Sequence, residues 1–69
     1  MTARTLDINS SALNGATYDS EKRELVLDWV GGAYAYRGVP EEVADELENA
    51  GSQGRYANMI KHEYSFRRV

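Results

Sequence analysis

The sequence contains no cysteine, a single histidine, a single proline and no long apolar run. Without cysteine the chain has neither disulfide bonds nor thiolate metal ligands, which favours a reducing, cytoplasmic location. No stretch approaches the roughly 20 apolar residues that a membrane-spanning helix needs, so no membrane partner is expected. The first seven residues also lack the apolar core of a secretory signal. These absences predict an unprocessed, soluble, cytoplasmic protein.

The length of 69 residues allows one small domain. A chain of this size buries a modest share of its unfolded surface, so dimerisation is one route to extra stability. Many domains of about this size nevertheless fold alone. The sequence is therefore compatible with either a monomer or a homodimer.

The formal net charge of −3 is unevenly distributed along the chain. Residues 1–50 carry ten acidic and four basic side chains, whereas residues 51–69 carry one acidic and four basic side chains. The carboxy-terminal segment alone therefore has the charge to attract a phosphate backbone. The simpler interpretation is that both blocks are solvated surface.

Short runs that alternate in polarity predict three strands, over residues 12–18, 24–30 and 33–37. Gly15 inside the first strand indicates a β-bulge. Gly31-Gly32 predicts the turn of a hairpin that joins the second strand to the third. Residues 1–9 are predicted to form an amino-terminal arm or edge strand, and residues 10–69 the single domain.

Two short helices are predicted after the strands. Pro40 is suited to the first position of one helix, and Ser52 to the cap of the next. Residues 63–69 are then expected to form a tail or a short strand. The predicted fold class is α+β: a three-stranded antiparallel β-meander, two short α-helices and a carboxy-terminal tail.

Three aromatic residues on the strands raise a question of packing. Trp29 lies on the same face of its strand as Leu25 and Leu27, which predicts a core position. Tyr34 and Tyr36 share one face of the third strand. They belong either to the core or to a ligand-binding surface, and the sequence leaves both interpretations open.

No residues form a catalytic constellation, because no nucleophile–base pair can be named. His62 is expected to be a surface residue near the end of a helix rather than a metal ligand. The segment 51–54 lacks the lysine of a phosphate-binding loop, and a helix stop followed by a serine cap explains it more simply. The chain is therefore not expected to be an enzyme, and neither a metal nor a cofactor is predicted.

The chain has seven aromatic side chains, which is many for a domain of this size. Exposed aromatic side chains beside basic ones are a common device for stacking single-stranded bases. The candidate nucleic-acid-binding residues are Tyr34, Tyr36, Arg37, Arg55, Tyr56, Lys61, Arg67 and Arg68.

A protein-interaction module is the alternative prediction. The first predicted helix concentrates acidic side chains on one side, which favours docking of a basic partner. The residues predicted for that surface are Glu42, Asp45 and Glu46. An aromatic patch is the other candidate surface, and a phage-encoded protein would use either one on a host or virion protein.

Short motifs also follow one another in a specific order between residues 10 and 69. They are Ser10-Ser11, Tyr18-Asp19, Leu25-x-Leu27, Gly32, Tyr34-Ala35-Tyr36, Val39-Pro40, Ala50-x-Ser52-x-Gly54-x-Tyr56-x-Asn58, Ile60, Tyr64 and Arg68-Val69. Together they resemble the KTSC domain, a family named for its occurrence at the C-terminus of some lysyl-transfer-RNA synthetases. The family also occurs as stand-alone small proteins of bacteria and phages. The resemblance implies a small binding module, with RNA or another single-stranded nucleic acid as the expected partner.

Overall fold

The computed structural model describes residues 3–69 and divides them into five strands and two helices. In chain order the elements are β1 (Ala3–Leu6), β2 (Leu13–Asp19), β3 (Glu24–Trp29), β4 (Gly32–Arg37), α1 (Glu41–Asn49), α2 (Gln53–Glu63) and β5 (Phe66–Arg68). The strands form one antiparallel sheet in the order β1-β2-β3-β4-β5. Within this described part of the chain, no helix is long and apolar enough to cross a bilayer.

The α+β class and the two helices are confirmed, but the prediction of a three-stranded sheet is wrong. The two additional strands are the edges of the sheet, β1 with four residues and β5 with three. The pattern of residues 1–9 allows an arm or an edge strand, and that of residues 63–69 a tail or a short strand, because so few residues carry too little alternation to decide. The structure has a strand in both places, and of residues 1–9 Met1 and Thr2 lie outside the described residues.

A β-bulge lies in β2, as the glycine there predicts. The register with β3 shifts between Leu13 and Gly15, so that two residues of β2 are opposite one of β3. Strict alternation would place Leu13 and Ala16 on opposite faces of the sheet. Because of the bulge, both of them are buried together with Tyr18.

Both helices cover one face of the sheet, which we call the helix side. It carries Leu25 and Leu27 of β3, and neither side chain has any exposed surface. They pack in one core with Leu47 of α1 and Ile60 of α2. The opposite face, the open face, carries Val26, which is only partly buried.

A polar clamp attaches the amino-terminal segment to the helices. The side-chain Oε1 of Gln53 accepts a hydrogen bond of 2.6 Å from the backbone N–H of Asn9. Its Nε2 donates to the carbonyls of Asp7 and Glu48, at 3.0 Å each. Gln53 is 8% exposed, so these bonds satisfy a polar side chain that would otherwise be costly to bury. The sequence pattern around Gln53 does not predict this role.

Candidate functional site

An open cleft of about 480 Å³ lies between the C-terminal end of α2 and the strands β3, β4 and β5. We call it the aromatic cleft, because aromatic side chains from three different strands line it. The lining residues are Trp29, Gly31, Tyr34, Tyr36, Lys61, His62 and Phe66.

The strand register brings the aromatic side chains together. Tyr36 is paired with Leu25 on β3 and with Phe66 on β5, so all three point to the helix side. The Phe66 ring contacts Tyr34 edge-on, with 5.5 Å between the ring centroids and an interplanar angle of 89°. Its centroid lies 5.6 Å from that of Tyr36. Phe66 is nevertheless 56% exposed, so it offers a free aromatic surface at the cleft.

Trp29 joins the cleft to the core. It is partly buried against the core and also lines the cleft, so the prediction of a purely internal position describes only part of its environment. Its indole Nε1 donates a hydrogen bond of 3.3 Å to the hydroxyl of Tyr36. The ammonium Nζ of Lys61 lies over its ring, 5.5 Å from the centroid, within the range of a cation–π interaction.

Tyr34 and Tyr36 occupy different environments, although both lie on the helix side. Tyr36 is 2% exposed and belongs to the core cluster, so its ring is not available to stack on a ligand. Tyr34 packs against the core only in part and lines the cleft. The two tyrosines therefore differ: Tyr36 occupies a core position and Tyr34 borders the cleft.

A second basic side chain, Arg68, lies close to the cleft. A Cβ atom built on Gly32 would be 3.6 Å from its Nη2 atom, so the guanidinium lies against the beginning of β4. Gly32 is the strand partner of Trp29, and its φ of 149° is one that other residues rarely adopt. The missing side chain leaves room for the Arg68 guanidinium against the start of β4.

The other predicted nucleic-acid-binding residues lie elsewhere. Arg37 and Arg67 point to the open face, since they alternate with Tyr36 and Phe66. Arg67 reaches across β4 to Glu24, with 3.3 Å between Nη2 and Oε2. Neither side chain is therefore directed into the aromatic cleft.

The two remaining candidates belong to α2. Arg55 lines a second cleft of about 400 Å³, near the start of that helix. This second cleft has no aromatic lining; its residues are Asn9, Ser10, Ser11, Ala12, Gly51, Ser52, Gln53, Gly54 and Arg55. The hydroxyl of Tyr56 donates a hydrogen bond to a carboxylate oxygen of Glu46. Burial, followed by this hydrogen bond, raises the pKa of Tyr56 to about 12.

The acidic residues predicted for protein docking are partly engaged within the molecule. Asp45 forms an ion pair with Arg4, and Glu46 accepts the hydrogen bond from Tyr56. Glu42 is exposed in the first turn of α1. Two of the three carboxylates therefore already have a partner within the molecule.

Four residues of the cleft are absent from the predicted site: Trp29, Gly31, His62 and Phe66. The pattern of residues 63–69 leaves a tail and a short strand open, and without the register of β5 the direction of the Phe66 ring is unknown. The unusual exposure of the side chain appears only in the structure. Among residues 3–69, no three histidine, aspartate or glutamate side chains come together as a possible metal site.

The chain is similar in sequence to one protein family and to two proteins from bacteria. A family model for the KTSC domain matches residues 9–64. A protein from Tsukamurella paurometabola is 46% identical over 54 residues, which cover 77% of this chain and 81% of the relative. An uncharacterized protein from Stutzerimonas stutzeri is 39% identical over 54 residues, covering 77% and 76% of the two chains.

A solved structure is similar over nearly its whole length. The crystal structure of a KTSC domain protein from Yersinia pestis aligns with a TM-score of 0.89 and 28% identity, covering 99% of each chain. With a family model that matches most of the chain and a sheet-and-helix arrangement shared throughout, this protein belongs to the KTSC domain family.

Proposed function

We propose that this protein is a small non-catalytic module that binds single-stranded nucleic acid through the aromatic cleft. The observation that carries the proposal is the meeting of Trp29, Tyr34 and Phe66 in one open cleft beside Lys61. RNA is placed before DNA because the resemblance to the KTSC domain implies it.

Stacking would supply most of the affinity. An unpaired base gains about 1–3 kcal/mol on an aromatic side chain, whatever its identity. Phe66 is more than half exposed and is backed by Tyr34, so its ring is accessible and fixed in orientation. Trp29 is likewise held in place by its hydrogen bond to Tyr36.

The charges around the cleft complement a phosphate backbone. Lys61 and Arg68 both lie near Trp29, one over its ring and the other beside its strand partner Gly32. The net charge of −3 opposes indiscriminate binding of nucleic acid by the rest of the surface. Binding is therefore expected to be localised at the cleft and to weaken as salt is added.

Docking of a protein on α1 has less support. Asp45 and Glu46 have partners within the molecule, and none of the exposed large apolar side chains among residues 3–69 belongs to α1. The nucleic-acid proposal needs no existing ion pair to be broken.

The single tryptophan provides a direct test. Single-stranded oligouridylate and oligothymidylate are titrated into the protein at low salt, and Trp29 fluorescence and calorimetric heat are followed. We expect quenching of Trp29 with both polymers and tighter binding of the ribose form. Absence of quenching and of heat up to high micromolar concentration would rule the proposal out, because even non-specific contacts register under those conditions.

Two substitutions on one helix form a matched pair. Lys61→Gln and Arg55→Gln each remove one positive charge from α2, but only Lys61 lies at the aromatic cleft. Lys61→Gln is expected to weaken binding, whereas Arg55→Gln leaves it unchanged. Equal effects of Lys61→Gln and Arg55→Gln would contradict binding at the aromatic cleft.

Phe66→Ala is expected to weaken binding about tenfold or more without loss of folding, because its ring is largely exposed.

A further inference from the structure

The aromatic cleft offers one stacking site rather than a series of stacking sites along a groove. Trp29, Tyr34 and Phe66 converge on one space of about 480 Å³, in the lower part of the range for pockets that hold one small ligand. The second cleft, at the start of α2, has no aromatic lining. Proteins that follow a single strand over several nucleotides present successive aromatic side chains along a basic groove. Residues 3–69 of this chain present no such series.

The basic side chains beside the cleft are also few. Lys61 and Arg68 are the two that lie near Trp29. Arg67 is paired with Glu24 on the open face, and Arg37 points to that same face. The other described basic side chains lie away from the cleft: Arg4 is paired with Asp45, Arg55 lines the second cleft, and Lys22 and Arg23 belong to the turn between β2 and β3.

Acidic groups limit how far a strand can continue beyond the cleft. Glu63 follows His62 at the end of α2, and α1 carries Glu42 and Glu46 on its exposed surface. A phosphate backbone that extended beyond the cleft would meet Glu63 at the end of α2, and Glu42 and Glu46 on α1. The contact is therefore confined to the region between α2 and β5.

We propose that the aromatic cleft binds one unpaired nucleotide, at a strand end or beside a duplex, and not a run of single strand. The proposal rests on the proposed function of the cleft. The base lies against Phe66 and Trp29, and the adjacent phosphates lie within reach of Lys61 and Arg68. A base within a duplex is excluded, because both of its faces are already stacked.

A length series tests the size of the site. Oligouridylates of two, four, eight and twelve nucleotides are titrated while Trp29 fluorescence is followed. We expect the affinity to rise only in proportion to the number of nucleotides in the strand that can occupy the cleft. With two phosphate contacts, the slope of log K against log salt should be about −1.4. A further tenfold gain between four and twelve nucleotides, or a slope of about −3 or steeper, would overturn the proposal.

A second arm uses duplex RNA. A blunt self-complementary duplex is compared with the same duplex carrying one additional 3′ nucleotide. We expect the duplex with the overhang to bind at least tenfold more tightly, because only its terminal base is free to enter the cleft. Equal binding of the two duplexes would contradict recognition of an unpaired nucleotide.

Charge variants locate the phosphate contacts. Lys61→Gln and Arg68→Gln should each make the salt slope shallower by about 0.7. Arg37→Gln removes the same charge from the open face and should leave the slope unchanged. An equal change with Arg37→Gln would overturn the assignment.

The outcomes separate this inference from the proposed function. Quenching of Trp29 that grows with strand length overturns the single-nucleotide site and leaves nucleic-acid binding standing. If none of these oligonucleotides or duplexes quenches Trp29 at low salt, both proposals fail.

Discussion

The indole of Trp29 is joined to the hydroxyl of Tyr36 by a hydrogen bond of 3.3 Å, and this contact links the aromatic cleft to the core. Tyr36 is almost fully buried, whereas Trp29 lines the cleft. The core therefore restricts the orientation of an aromatic group that a ligand would meet. A cleft residue held in this way loses little conformational freedom on binding.

Substitutions of Tyr34 and Tyr36 should lower the free energy of unfolding by different amounts. We expect Tyr36→Ala to lower the free energy of unfolding by about 3–5 kcal/mol, because it empties a buried site. Tyr34→Ala should cost clearly less, since the side chain borders the open cleft. Denaturant unfolding monitored by circular dichroism measures both values. Equal losses for the two variants would contradict the division between core and cleft.

The more conservative Tyr36→Phe isolates the hydrogen bond. Removal of the hydroxyl should cost about 0.5–1.5 kcal/mol and change the emission maximum of Trp29, whose indole N–H loses its acceptor. Tyr64→Phe is a suitable control, because Tyr64 does not line the cleft. It should leave the emission of Trp29 unaltered.

Gln53 should be one of the most sensitive polar positions. Gln53→Ala leaves one backbone N–H and two carbonyls without the partner that now serves them. We expect a loss of about 1–3 kcal/mol in the free energy of unfolding, measured by denaturant titration. Ser52→Ala is the matched control. Ser52 is the N-cap of α2, yet its side chain makes no capping hydrogen bond, so its replacement should change stability by less than about 0.5 kcal/mol. A larger effect at Ser52 than at Gln53 would contradict the clamp.

Stability should fall at alkaline pH through two tyrosines. Burial raises the pKa of Tyr18, whose hydroxyl donates a hydrogen bond of 2.6 Å to the carbonyl of Val39. The pKa of Tyr56 is raised to about 12. In both cases the folded state holds its proton more tightly than the unfolded state, where the pKa is about 10. The stabilisation is therefore complete below about pH 10 and is lost as the pH rises toward 12.

Unfolding free energies measured across that pH range should show this decline. Tyr56→Phe should make the decline shallower, because one of the two groups is removed. Glu46→Gln should lower the pKa of Tyr56 only in part, since burial is the larger cause. The tyrosinate absorbance of the folded protein provides that measurement. A pKa for Tyr56 that falls to about 10 in the glutamine variant would show that the carboxylate, not burial, dominates.

Gly32 and Gly15 should respond in opposite ways to alanine. Gly32 has a φ of 149°, which an L side chain rarely adopts, and an added Cβ would contact Arg68. Gly32→Ala should therefore destabilise the fold by about 1 kcal/mol or more. At Gly15 nothing lies within 4 Å of an added Cβ, so Gly15→Ala should be neutral or stabilising by about 0.4–1 kcal/mol. Thermal unfolding of both variants checks the contrast, and a stabilising Gly32→Ala would contradict it.

The local sequence pattern was sufficient to predict the central elements of the fold. The alternation around Leu25 and Leu27 predicts β3 and its buried face, because both are set by a period of two along a single strand. The bulge at Gly15 was likewise predictable, because glycine tolerates backbone conformations that other residues avoid. The start of a helix after Pro40 was predictable because proline has a fixed φ and no N–H to pair. The family was recognisable for a related reason, since its motifs are read directly from residue order.

The edges of the sheet and the site depend on contacts between distant residues. β1 and β5 form strands beside β2 and β4, which offer them backbone partners, whereas three or four residues alone do not decide between a strand and an extended arm or tail. The antiparallel register of β4 and β5 places Phe66 against Tyr36 across thirty positions of sequence, with both helices between them.

The amino-acid sequence by itself thus determined the class of fold, the central strands, the two helices and the family, because local periodicity and turn chemistry encode them. Tertiary structure alone decided which tyrosine is buried, where Arg37, Arg55 and Arg67 point, and that Trp29, Tyr34 and Phe66 meet beside Lys61. These outcomes follow from strand register and helix placement, which are set by packing between segments far apart in the chain.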